Sequence, residues 1–279
     1  AVISAGASYF TQGVPSLLGQ VARSVDDTRR STYTGKTGVP NVVGRQIEGM
    51  QNKLLGLSML NEPYIDQWGN TDENEGGSFL GRLAYNTLSP GFVLIAPADD
   101  TMQMLESLDD KSVWPGYAPY SVDYTVGGEK QKKRWTPQEY TQYSTNRGQG
   151  SREIADAFTA DEAFALLPPD QQASLLDEAY TYADFAAKRE LIPELEEQFQ
   201  QDILDNPSKT DRLNALYDEY GADVLVPVLV ADEITSGIGA DKNAKGNSIP
   251  GSREKNFIET LLQYGYTREE AEYLYQLLK

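Results

Sequence analysis

Apolar residues in this chain recur mostly at intervals of three and four, the spacing that lines one face of an α-helix. Leu17, Leu18, Val21, Ala22 and Val25 follow this period into Asp26, Asp27, Arg29 and Arg30, which predicts a helix over about 14–30. Val42, Val43, Ile47, Met50, Leu54 and Leu55 mark one apolar face over 41–57. Between Ser58 and Gly77 the period dissolves into an irregular loop, LNEPYIDQWGNTDENEGG, in which Tyr64 and Trp68 are either anchors or a contact surface. Phe79, Leu80 and Leu83 support a short helix over 78–88.

Alternation at the interval of two appears in the middle of the chain. Ser121 to Val126 alternates apolar and polar residues, Gly127-Gly128 suits a two-residue turn, and Glu129 to Trp135 returns, which predicts a β-hairpin. Thr136, Pro137 and Glu139 then spell a helix start, with Thr as cap, Pro at the first position and Glu reaching back. Beyond it the helical period predicts segments near 137–146, 150–159, 170–190, 193–205, 209–219, 222–235, 252–264 and 268–278. Pro193, Gly221, Gly265 and the Thr267/Glu270 pair supply starts and stops. Val224 to Val230, interrupted by Pro227, reads as core, being far shorter than the roughly 18 apolar residues of a membrane span. The expected fold is mainly α: a multi-helix bundle with long irregular N-terminal loops and one small hairpin near 121–135. The division expected is 1–135, with the early helices, loops and hairpin, and 136–279, a helical bundle.

Charge sharpens that division. Residues 1–150 carry 13 lysines and arginines against 16 acids, whereas residues 151–279 carry 11 against 26, net −3 and −15. The acidic half repels phosphate backbones, so nucleic-acid contact is confined to the first half. Its basic cluster there is Lys130, Lys132, Lys133 and Arg134, read as one edge of the hairpin. The 279 residues hold no histidine and no cysteine, which removes the usual proton shuttle, the usual soft nucleophile and the commonest transition-metal ligands.

Motif-like fragments each lack a part. Gly35-Lys36-Thr37 resembles the end of a phosphate loop, but Arg30 stands where that loop needs glycine. Asp241, Asn243, Lys245 and Gly246 resemble half a calcium loop, yet Ser252 stands where a bidentate Glu is required, and Asn70, Asp72 and Asn74 fit less well. Carboxylate pairs such as Asp99-Asp100 and Glu196-Glu197 are expected by chance among 42 acids. No catalytic, cofactor-binding or metal-ligating residue is assigned, and no cofactor is expected. Arg147, in Asn146-Arg147-Gly148-Gln149 at the expected junction of two helices, can clamp a carboxylate or phosphate, or bond carbonyls at a helix end.

The runs VPSLLGQVARSVDDTRRSTYTGKTG, LNEPYIDQWGNT, GSFLGRLAYNTLSPG, TPQEYTQYSTNRGQGS and DEAYTYADFAAKRE, with the tail GADKNAKGNSIPGSREKNFIETLLQYGYTREEAEYLYQLLK, give the chain a family resemblance. It resembles the C-terminal region of very large multidomain proteins of phages and prophages of gut Firmicutes, of the large polyvalent protein-associated domain type. The resemblance implies a virion-linked protein, packaged and delivered with the genome, of which this is a processed or cloned piece; the start at Ala1 agrees. It carries over no catalytic residues.

The expected role is a structural or interaction module, located in the virion or in the host cytoplasm after delivery. Its expected partners are a phage protein, a host protein or other copies of itself. Tyr64, Trp68, Lys132, Lys133, Arg134 and Arg147 are the candidate contact residues. The alternative is a carboxylate-based enzyme such as a cell-wall glycosidase, which needs two carboxyl groups roughly 5–10 Å apart in a cleft. Weak nucleic-acid binding at Lys130 to Arg134 is third. A chain with no disulfide or metal site to undo also suits passage through a tail tube, as local helical contacts reform quickly.

Overall fold

A computed structural model of the chain describes residue 26 and residues 28–52, 57–71 and 99–279. The helix expected over 78–88 and most of that over 14–30 lie outside these residues. The described part is mainly helical, with one two-stranded antiparallel hairpin. Its elements are α1 (Gly38–Gln51), α2 (Asp100–Ser107), β1 (Ser121–Val126), β2 (Glu129–Arg134), α3 (Pro137–Ala160), α4 (Pro169–Arg189), α5 (Pro193–Asp205), α6 (Lys209–Tyr220), α7 (Ala222–Ile234), α8 (Ser252–Gln263) and α9 (Arg268–Leu278). Among the described residues no helix is long and apolar enough to cross a membrane.

Two compact units form. The first takes Ala1–Ala96, Gly116–Gln149 and Leu191–Leu195; the second takes Pro97–Pro115, Gly150–Glu190 and Glu196–Lys279. Neither is one continuous stretch.

In the first unit the hairpin pairs Ser121 with Arg134 and Val126 with Glu129, closed by Gly127 and Gly128 at φ 59° and 81°, values that glycine adopts without strain. The Tyr33 hydroxyl donates to the carbonyls of Trp135 (2.6 Å) and Tyr120 (3.2 Å), and its ring stacks on Tyr120 at 4.4 Å. That clamp ties residues 31–34 to the base of the hairpin. The expected start of α3 is present: the Thr136 N–H donates to Glu139 and the Glu139 N–H to the Thr136 hydroxyl.

Three expectations are corrected or refined here. Residues 28–30 are not the end of a helix: Arg30 pairs with Pro63 in an antiparallel bridge, held there by the buried Asp26 carboxylate. Helix α1 ends at Gln51, and its Val42, Val43 and Ile47 are exposed. The stretch from Ser58, expected to be irregular, is pinned through residue 71: a 3-10 turn spans Ser58–Leu60, Ile65 bridges Thr71, and the Asp66 side chain accepts from the N–H groups of Trp68 and Asn70.

A fourth correction concerns α3. Residues 147–149 read as the junction between helices over 137–146 and 150–159, with Gly148 as the cap, and a glycine inside a helix costs about 1 kcal/mol relative to alanine. One 24-residue helix runs straight through them. Tertiary packing decides: a β-carbon on Gly148 would come within 2.5 Å of the Gly69 Cα, and one on Gly150 within 2.6 Å of the Tyr217 hydroxyl. The glycines admit neighbours; they do not end the helix.

The second unit is built around α7, which packs against α4, α6, α8 and α9. A helix apolar on every side belongs inside a bundle, and Leu225, Val226, Val228, Leu229, Val230 and Ala231 are all buried. Each large side chain so covered contributes roughly 1.5–3 kcal/mol. Arg189, 6% exposed, is held by Glu196 at 2.8 Å and by both Asp218 oxygens at 2.6 and 2.7 Å, between the rings of Phe185 and Phe199. It thereby joins α4, α5 and α6. The observed bounds of α4 to α9 lie within one residue of those expected from the sequence.

Candidate functional site

Three stretches distant in sequence meet in the second unit to form a cleft of about 370 Å³. The end of α3 and the residues after it contribute Ala160 to Ala163, the first turns of α7 contribute Asp223, Val224 and Pro227, and the α8–α9 corner contributes Tyr264 to Tyr266, Glu270, Tyr273 and Leu274. Local rules place each part. Gly265, at φ 96°, turns the chain between the two tyrosines, and the Thr267/Glu270 capping box then starts α9. Pro227 has no N–H, so the Asp223 carbonyl loses its usual intrahelical donor.

The lining is of one sign. Asp161, Glu162, Asp223 and Glu270 are its charged residues, and no lysine or arginine lines it. The Asp161 carboxylate accepts the Phe164 N–H at 2.9 Å and the Tyr266 hydroxyl at 3.4 Å. Burial pushes its pKa above the ordinary carboxylate value despite those hydrogen bonds, and the Glu162 charge adds to the rise. Burial and the Asp161 charge raise the Tyr266 hydroxyl in turn. Glu270 is held below the usual value by the Thr267 backbone N–H and hydroxyl, so it serves the α9 cap. A floor of alanine, valine, proline and leucine under acidic and tyrosine groups fits a side chain with an apolar stem and a cationic head, such as arginine or lysine.

The six contact residues expected from the sequence all lie in the first unit, and none lines this cleft. Trp68 is buried; Tyr64 is half-buried, with the Arg29 guanidinium 4.1 Å from its ring centre. Arg147 lies within the continuous α3, not at a junction of helices, and donates to the Gly116 carbonyl at 2.9 Å. Lys132 is exposed beside Asp123 at 3.6 Å. Lys133 bonds the Leu191 carbonyl and Glu139, and Arg134 bonds the carbonyls of Gly35 and Lys36. Two of the basic edge residues are therefore engaged within the unit.

The other fragments are occupied by local structure. Asp99 caps α2 and binds Arg152 at 2.6 Å; Glu196 holds Arg189. In the calcium-like turn, the Asn243 side chain accepts from the N–H groups of Lys245 and Asn247, and Asp241 accepts from Asn256. Among the described residues no group of three or more acidic side chains is placed to hold a metal ion. The sequence reading missed the cleft, whose signal was dispersed: a proline inside α7 and tyrosines flanking a C-terminal glycine. Comparison with protein-family models, curated proteins and solved structures finds no match.

Proposed function

We propose that this chain is an interaction module of a phage particle, packaged or delivered with the genome, whose acidic cleft receives a basic segment of a phage or host partner protein. The observation that carries this reading is the one-signed lining of the cleft, four carboxylates and no cation over an apolar floor. The sequence runs that resemble very large phage proteins supply the setting. The virion, or the host cytoplasm after delivery, is then the place of action.

The docking test titrates the protein with a short arginine-containing peptide and with its citrulline counterpart, which keeps the shape and removes the charge. Saturable binding of the arginine peptide, weakened by Glu162→Gln and by Asp223→Asn, is expected. Equal binding of the citrulline peptide, or no effect of either substitution, overturns the docking site. For the setting, mass spectrometry of purified particles is expected to find peptides of this chain; particles without them overturn it.

A second reading has its own observation. Asp161, raised in pKa by burial, shares the cleft with Glu270, which its Thr267 hydrogen bonds hold below the usual value, the arrangement in which one carboxyl donates a proton and another stays charged. Clearing of peptidoglycan in a zymogram, lost with Asp161→Asn, is the outcome that reading requires.

A further inference from the structure

Several cations of residues 151–279 lie close together. Of the eleven lysines and arginines after residue 150, six form ion pairs with nearby carboxylates. Of the five that form none among the described residues, Arg253 and Lys279 line a second hollow, of about 380 Å³, and Arg212 lines a smaller one beside it. Lys209 lines both. Asp232 is the acidic side chain in the larger hollow, and Lys209 already neutralises it at 2.5 Å. Arg253 and Lys279 form no ion pair with a side chain among the described residues, although residues 151–279 carry a net charge of −15.

The placement runs against the helix rules. Lys209 is the first residue of α6 and Arg253 the second of α8, positions where the helix dipole disfavours a cation. One wall is the edge-to-face pair of Phe257 and Tyr275, with ring centres 5.3 Å apart. We infer that this hollow binds a small organic oxyanion, a phosphate or carboxylate compound whose charged group meets Arg253 and Lys279 and whose remainder lies against the aromatic wall. Its volume is that of a small-molecule site. Size selects the ligand. Screening over about 8 Å at physiological salt leaves a small anion under the local cations, whereas a polyanion would also run across acidic surface. This site is separate from the acidic cleft and does not depend on what that cleft binds.

Calorimetric titration with inorganic pyrophosphate, and separately with citrate, at physiological ionic strength tests it. Saturable one-to-one binding of at least one is expected; pyrophosphate favoured over citrate marks a phosphate ligand, and the reverse a carboxylate ligand. Arg253→Gln, at an exposed residue that holds no ion pair, is expected to weaken binding about tenfold or more, the effect of losing a charged hydrogen bond. Lys245→Gln, outside the hollow, is expected to leave it unchanged. No saturable binding of either anion, or equal binding by the Arg253→Gln protein, overturns the site.

Discussion

Gly69 and Gly148 lie backbone against backbone: a β-carbon on Gly69 would meet the Thr145 carbonyl and the Gln149 nitrogen, and one on Gly148 would meet Gly69 itself. The two glycines are 79 positions apart, and each explains the other. Gly148 lets the turn held by Asp66 reach the face of α3, and Gly69, at φ 78°, shapes that turn.

Alanine at Gly148 is expected to act against helix propensity, and alanine at Gly49 to follow it. Gly49→Ala in α1, where an added β-carbon meets nothing within 4 Å, should stabilise by about 0.5–1 kcal/mol. Gly148→Ala should instead destabilise by about 1–3 kcal/mol, because the backbones must separate. Urea unfolding of both variants gives the two signs directly.

Arg189→Ala is expected to cost about 2–4 kcal/mol, chiefly by emptying the space between Phe185 and Phe199, since Glu196 and Asp218 are more than a third exposed and regain water. Arg189→Met, which refills the space without charge, should recover part of that loss. The check is the midpoint of thermal unfolding for each variant. An alanine variant as stable as the original protein would mean that the buried guanidinium contributes nothing.

The capping carboxylates set an acid limit. Glu139 and Glu270 both titrate below their ordinary value: burial opposes this at Glu139 but is outweighed by hydrogen bonds from Thr136 and Lys133, and at Glu270 the Thr267 backbone N–H leads. A lowered folded pKa contributes stability that is full above the ordinary carboxylate value and lost as pH falls through the folded one. Asp161, raised by burial, has the opposite sign: its contribution is lost as pH rises through its folded value. Thr267→Ala should cost about 1 kcal/mol at pH 7, and the deficit should shrink as pH falls from the ordinary Glu value through the lowered folded one. Melting curves followed by circular dichroism at several pH values measure this.

On the hairpin, Arg134→Ala should loosen residues 35–36, which it holds through two carbonyls, whereas Lys132→Ala should change stability by less than about 0.5 kcal/mol. Hydrogen exchange at those residues separates the two. With Lys133 and Arg134 engaged internally, no retardation of DNA or RNA is expected in a gel shift at about 0.1 M salt.

What the sequence revealed followed from locality. The Thr136 and Thr267 caps, the Gly127-Gly128 turn, Pro193 at a first turn and Gly221 past the end of α6 each depend on residues within a few positions, and each stands where the pattern put it. The continuity of α3 depends on Gly69 and Tyr217, which no window around residue 148 contains. The short helix α2 escaped notice for want of length to show a period, although Asp99 caps it. The cleft was hidden for a third reason: residues 160–163, 223–227 and 264–274 become neighbours only once α7 is buried among its partner helices.

The alternation of the two units along the chain governs how the protein yields to a pull. Drawn from its C-terminus, the chain gives up Glu196–Lys279 of the second unit first, then the five residues Leu191–Leu195 that belong to the first, then α4 and the rest of Gly150–Glu190. The middle step breaks the Lys133 bond to the Leu191 carbonyl and bares Ile192 and Leu195, both buried. A chain pulled from that end would therefore release segments of the first and second unit in turn, not one whole unit at a time.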